Sequence, residues 1–492
     1  MTRTPRLSDS AAWLIIGNTI QATSTFVLLL LLARNMPREQ FGYFQWAVLL
    51  LSTIASLATL GIPQAYLYFI PRSEGEDRGA FLSLGLILQT VIGMLIGFFA
   101  ASAGMIVPRL YGVNESGFFT LSLLLFPAFF IIASSLPSIM LSLGKPNFAA
   151  LTSIITGVFY VGSAVTAVAI SDSASAVFLA ITAAYGLSAL GGAALAYRSL
   201  PHGKRWIAGK QELRELIRYS WPLGLSSMAG NINRRIDGII VRMFFSASIF
   251  ASFFVGAREI PFVSIFAFGI TQAILPRISK AGADGDRLQQ IRLWQQAMLK
   301  TAIVIFPVFV FVFALAHRFI VLLFTQAYAD ATPVFMIYLL LLPLRLSGYG
   351  AVLSAMGKPR LVLKGAILGV AVNIALGLLL VRSAGWTGPA IGAVASQLAM
   401  IVYFVRMIRK VSGVAWTGLL PMAGLGAIFL TALLPIPFTL LIARFLPAPL
   451  LGFVAAGIFF FSGYFALAWI LGVLTRDDKD FIRRWLRLKV TS

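Results

Sequence analysis

Apolar runs of about 20 residues, each long enough to cross roughly 30 Å of hydrocarbon, recur from one end of this chain to the other. No segment between them is long enough to hold a soluble domain. The backbone must therefore satisfy its own hydrogen bonds in a bilayer, which helices do within each segment. Only 11% of the 492 residues are charged and 59% are hydrophobic, against about 25% charged in a soluble domain. The predicted fold is an all-α polytopic membrane protein with about 14 transmembrane helices. The spans are expected near 11–33, 40–66, 80–104, 117–142, 148–170, 174–197, 219–245, 248–275, 294–316, 332–356, 361–381, 386–407, 417–443 and 449–474. No small-residue cleavage site follows the first run, which is read as a retained span.

Charge sets the expected orientation. Segments on one side of this map hold 27 lysines and arginines, and those on the other hold 7. Basic residues gather on the cytoplasmic side, so both termini are expected there, with the protein in a bacterial cytoplasmic (inner) membrane. The formal net charge of +22 then describes a face that meets anionic membrane lipids, and it gives no reason to expect a nucleic acid.

The chain also repeats itself. LGIPQA at 60–65 returns as FGITQA at 268–273, and LSLGKPN at 141–147 returns as LSAMGKPR at 353–360. Blocks of six spans enter the membrane from the same side, because six is even. They are expected to form two six-helix lobes, parallel pseudo-two-fold repeats around a central cleft, plus two C-terminal helices. The organisation is an N-lobe (1–200), an interfacial linker (201–218), a C-lobe (219–410), an additional helical pair (411–475) and a basic amphipathic tail (476–492). In each Gly-Lys-Pro turn, glycine is expected to end one helix and proline to start the next.

Within this apolar chain, NINRRIDGIIVRMF (231–244) carries three arginines and an aspartate. Arg234 and Arg235 fall on the order of 22 Å into the seventh span, near the bilayer centre. A centred arginine costs roughly 2.5–3.5 kcal/mol, so it must face protein or water and find a partner. Asp237 is three residues from Arg234, within pairing reach on a helix. Arg235 is then left over, on a face shared with Asn231, Gly238 and Arg242. Arg258 and Glu259 lie at a matching depth in the eighth span, Lys300 in the ninth and Arg345 in the tenth. Five cations against two carboxylates leave a positive surplus that suits an anion. These residues also have purely structural uses: Arg234 with Asp237, or Glu259 with Arg235 or Arg258, as packing pairs, Lys300 snorkelling to the surface, and Arg345 in helix packing after Pro343. In the first span Asn18, Gln21 and Thr25 share one face and suit sugar hydroxyls, though small polar groups also join helices.

Several chemistries are excluded. No Gly-Lys pair continues into a phosphate loop, so no ATPase is present. The chain lacks cysteine, and its histidines, His202 and His317, fall on opposite sides of the predicted membrane, so no metal site is expected. No outer loop is long enough for a catalytic domain, and neither an enzyme nor a cofactor is expected.

ARNMPREQFGYFQWA (33–47), LGIPQAYLYFIPR (60–72), NRRIDGIIVRMF in the seventh span, LSAMGKPR and GWTGPAIGAVASQ (385–397) resemble the polysaccharide-transporter branch of the multidrug/oligosaccharidyl-lipid/polysaccharide (MOP) flippase superfamily. The likeness covers nearly the whole chain. It implies two lobes that alternate between inward-open and outward-open states, and an undecaprenyl-diphosphate-linked oligosaccharide carried to the outer leaflet for surface polysaccharide synthesis. Glycosyltransferases and a polymerase of the same pathway are the implied partners, and the coupling ion, H+ or Na+ if any, is left open. By this likeness Asp237 takes the usual acidic position of the seventh span and Arg242 a commonly basic one. It assigns nothing to the pair at 234 and 235, whose role rests on the physical argument. A multidrug exporter of the same fold is the alternative, but it needs unpaired intramembrane carboxylates, and Asp237 and Glu259 each stand beside arginine. A polyprenyl-dependent glycosyltransferase or polymerase would need a catalytic outer loop.

Overall fold

The computed structural model describes residues 7–73, 77–106, 117–200, 209–258, 260–446 and 448–474, all of whose regular structure is helical. Glu259, the side chain of Asn18, linker residues 201–208 and the tail 476–492 lie outside the described residues. The helices of the first half are α1 (Leu7–Asn35), α2 (Arg38–Ala58), α3 (Ile62–Arg72), α4 (Asp77–Ile106), α5 (Gly117–Ser142), α6 (Pro146–Ile170), α7 (Ala174–Arg198), α8 (Lys210–Asn233), α9 (Ile236–Phe244) and α10 (Ala247–Gly256). There follow α11 (Pro261–Ala283), α12 (Arg287–Ala314), α13 (Ala316–Phe324), α14 (Thr332–Leu339), α15 (Leu341–Leu344), α16 (Tyr349–Ala355), α17 (Pro359–Ser383), α18 (Gly388–Ser412), α19 (Met422–Leu433), α20 (Ile436–Phe445) and α21 (Pro449–Ile470).

Among the described residues, 11 helical stretches are long and apolar enough to cross a membrane. That is fewer than the 14 spans expected from the sequence. The seventh and eighth runs are the instructive cases, because each is an interrupted helix: α8 stops before Arg234–Arg235, and α10 and α11 are separated at 257–260. Hydropathy reads composition along a segment and does not register a break in its hydrogen-bond ladder.

The chain packs as two compact units, Met1–Phe254 and Val255–Ser492. This packing boundary differs from the sequence division at the linker, because α8 lies on α2, α3 and α4. Close approach of α8 depends on Gly224, where a Cβ would fall against the backbone of Leu60 at the α2–α3 elbow. The core under that elbow joins Tyr66 and Ile70 of α3 to Leu82 of α4 and to Ile139 and Met140 of α5. One polar chain crosses it: Tyr66 Oη donates to Gln89 Oε1 (3.2 Å) and Gln89 Nε2 to Ser135 Oγ (2.7 Å), all buried. Such bonds between membrane helices contribute about 0.6–2 kcal/mol each and fix rotation about the helix axes.

In the second unit α12 is the central support. Phe306 and Phe309 meet Phe429 of α19, Phe311 meets Phe453 and Phe460 of α21, and Tyr464 Oη donates to the Ile303 carbonyl at 3.0 Å. The C-terminal helices therefore add apolar and polar contacts to the same element.

The repeated Gly-Lys-Pro turns share one geometry. Gly144 and Gly357 take φ of 72° and 75°, a left-handed conformation that glycine adopts without Cβ strain. Lys145 N–H donates to the Met140 carbonyl and Lys358 N–H to the Leu353 carbonyl, each at 2.9 Å. These are the closing bonds of a glycine-terminated helix. Pro146 and Pro359 then start 25-residue helices, as the sequence led us to expect.

Candidate functional site

The arginine pair forms the break between α8 and α9. Two asparagines, poor helix formers, precede it in NIN, and Arg234 and Arg235 take (φ, ψ) of (−83°, −9°) and (−129°, −16°). The ladder tightens, with Arg235 N–H reaching back only to the Ile232 carbonyl at 3.0 Å. Interrupted membrane helices place unpaired backbone groups and charges where protein or water can meet them.

Arg235 is half-buried, and its Nη1 donates to Ser52 Oγ at 2.5 Å and to Thr53 Oγ1 at 3.1 Å, both on α2. Ser52 and Thr53 in turn donate to the Leu49 carbonyl, at 3.3 and 2.5 Å. Their protons are thus committed to their own helix, and their lone pairs face the guanidinium. Gly238 of α9 seats the helix against Leu49, the same turn of α2. Among the described residues Arg235 meets hydroxyls and no carboxylate. A hydroxyl orients a guanidinium without cancelling its charge.

Arg234 is exposed and donates through Nη2 to Asn231 Oδ1 at 2.6 Å. Asp237 is buried in the first turn of α9, where an acidic group complements the helix dipole, and its Oδ1 accepts from Gly238 N–H at 2.8 Å. Farther along α9, Arg242 lies 5.9 Å from the Tyr43 ring centre and 5.8 Å from that of Trp46, and donates to the Phe245 carbonyl at 3.4 Å. Arg38 Nε donates to the Ser248 carbonyl at 3.0 Å. These contacts hold α9 and the start of α10 along α2, which fixes where Arg235 sits.

The polar stripe of the first span is partly described. Thr25 Oγ1 donates to the Gln21 carbonyl at 2.9 Å, a bond within α1. The backbone of Gln21 lies near Gly157 of α6, on which α1 packs.

Arg258, Lys300 and Arg345 belong to the second unit. Arg258 lies in the gap between α10 and α11, and Arg345 ends α15 with φ of −101° and ψ of 30°. The loop after Arg345 is anchored by buried Trp294, whose Nε1 donates to Ser347 Oγ at 2.5 Å. Lys300 is different, an exposed residue on the unbroken α12. Arg235, Arg258 and Arg345 therefore share a position type, a break between successive helices. The pattern has a physical cause, since a charge and a non-helical backbone both need polar surroundings and are tolerated in the same places.

Ser52 and Thr53 were not singled out by the sequence reading. Their signal was an adjacent hydroxyl pair within LLLSTIA (49–55), but such residues commonly bond to their own helix, and Arg235 is more than 180 positions away.

A family model described as polysaccharide biosynthesis protein matches residues 7–282. The chain is 22% identical to the probable low-salt glycan biosynthesis flippase Agl15 of Haloferax volcanii, over 79% of this chain and 81% of that one. The structure of lipid II flippase MurJ in an inward closed conformation aligns with a TM-score of 0.76 at 15% identity, covering 93% of this chain and 98% of that one. An outward-facing multidrug resistance MATE family transporter of the MOP superfamily gives 0.56 at 16% identity, covering 82% and 94%. At such identities the solved structures speak for the fold. With the family match spanning more than half its length, the chain belongs to the polysaccharide biosynthesis protein family, on the all-helical fold of the MOP superfamily.

Proposed function

We propose that this protein is a flippase that carries a polyprenyl-diphosphate-linked oligosaccharide from the inner to the outer leaflet of a bacterial cytoplasmic membrane by alternating access. The observation that carries the reading is Arg235: a guanidinium at a helix break within a membrane span, oriented by two hydroxyls and matched to no carboxylate among the described residues. A diphosphate linkage brings about two negative charges and oxygens suited to guanidinium donors. The undecaprenyl carrier is the expected lipid, and membership of the polysaccharide biosynthesis family favours a glycan cargo. Arg258 and Arg345, also at helix breaks, are the next candidates for the anion. A drug exporter selecting lipophilic cations would gain nothing from an arginine at mid-membrane that meets no carboxylate among the described residues.

The test is deletion of the gene followed by analysis of surface polysaccharide and of lipid-linked intermediates on each membrane face. Intermediates should accumulate on the inner leaflet. Normal export with an unchanged distribution would reject the reading.

A further inference from the structure

The start of α17 and the end of α18 border an open cavity that the proposed transport reaction does not use. It has a volume of about 810 Å³, and Arg287, Lys358, Arg360, Lys364 and Lys410 line it with no carboxylate among the lining residues. Leu361, Met407 and Val411 supply an apolar wall. The placement follows from the chain path. Two 25-residue helices joined by a short connection bring the beginning of one to the end of the other, and Arg287 opens α12 beside them. The N-terminus of α17 has no side-chain cap, so its positive end adds to the field.

Basic residues here have an ordinary use, which is to orient the helices in the membrane. The internal repeat provides the comparison. The matching turn of the first unit has Lys145 for Lys358, but Asn147 for Arg360 and Leu151 for Lys364, while Arg78 follows Asp77 as Arg287 follows Asp286. α7 ends with a single basic residue, Arg198, where α18 carries Arg409 and Lys410. Arg409 is used elsewhere, its guanidinium 4.8 Å from the Trp416 ring centre. The equivalent positions of the first unit carry three cations, Arg78, Lys145 and Arg198. Five around one cavity repel one another, and among the described residues none of the five has a carboxylate partner.

We infer that this cavity binds the headgroup of a membrane phospholipid carrying two phosphates. It lies where the apolar run of α17 begins, which is the headgroup level of a leaflet. A single phosphodiester brings about one negative charge to five cations, and paired phosphates bring about two, with enough oxygens to engage several donors at once. The apolar wall meets the first methylenes of the acyl chains. Basic pockets between membrane helices are the sites that suit such headgroups.

The experiment uses the purified full-length protein in detergent, titrated with cardiolipin, phosphatidylglycerol, phosphatidylcholine, an isoprenoid diphosphate and inorganic diphosphate, with binding read by native mass spectrometry. Lys358→Gln, Arg360→Gln and Lys364→Gln combined should weaken cardiolipin binding on the order of 100-fold, and Lys364→Gln alone roughly fivefold. A control combining Arg277→Gln, Lys280→Gln and Arg406→Gln removes the same charge from exposed positions outside the cavity, and should change binding by less than about threefold. Equal loss in both triple variants would reduce the effect to general surface attraction and overturn the site. Isoprenoid diphosphate or inorganic diphosphate binding that falls in the cavity triple variant by as much as cardiolipin binding, and is unchanged by Arg235→Ala, would overturn the assignment to a phospholipid.

Discussion

Arg235 Nη1 and Ser52 Oγ stand 2.5 Å apart, joining the break between α8 and α9 to a helix 183 positions earlier in the chain. The serine proton goes to the Leu49 carbonyl, so the serine acts on the arginine as acceptor only. The contact positions a cation without neutralising it. That combination is wasteful for a structural pair and useful for an anion site.

Arg235→Ala should insert and accumulate normally while export is abolished, because removing a cation that meets no carboxylate among the described residues relieves a membrane cost. Arg235→Lys should recover part of the activity, keeping the charge but losing the fork that matches phosphate oxygens. The measurement is polysaccharide export normalised to membrane protein level. Full export by Arg235→Ala would move the anion site to Arg258 and Arg345.

Ser52→Ala and Thr53→Val test the orienting role. A hydrogen bond to a charged group contributes about 1.5–3 kcal/mol. Each single change should lower export per molecule several-fold and the pair should lower it further, with protein level held. An active double variant would mean that Arg235 needs no orientation from α2.

Arg234 and Asp237 are expected to act together, three residues apart across the start of α9. Arg234→Ala should lower protein level by leaving the buried carboxylate poorly compensated, and Asp237→Asn in the same chain should partly restore it. Additive losses in the four-member cycle would show that the two are independent.

Gly224→Val should lower the midpoint of thermal unfolding in detergent, at a cost of about 1–3 kcal/mol, because the new side chain meets rigid backbone at Leu60. Gly230→Ala is the control, since the nearest atom to its Cβ would be Arg234 Nη1 at 3.6 Å. Equal midpoints for the two variants would show that the α8 contact at the elbow is not tight.

For topology, a reporter fused after Ser492 should behave as cytoplasmic and one inserted near Asn114 as external. The same location for both would overturn the charge-based orientation.

The sequence alone determined the features that depend on local chemistry. Runs such as LILQTVIGMLIGFFAA require a membrane helix wherever they sit, and α4 contains this one whole. The Gly-Lys-Pro turns were equally legible, because Gly144 and Gly357 end helices by a backbone conformation that their own lack of a side chain permits. The arginines at 234 and 235 were visible as a charge problem for the same reason: the cost of burying them is set by residue type and depth. Tertiary structure decided how that problem is met. The sequence reads residues 219–245 as one span, yet the helix breaks at the pair, and the partners of Arg235 are Ser52 and Thr53. Their hydroxyls look from sequence like the many that bond back to their own helix, as Thr25 does. Only folding, which seats α9 against one turn of α2 through Gly238 and Leu49, turns two unused lone pairs toward a guanidinium, because a long-range contact is a property of packing and not of either segment.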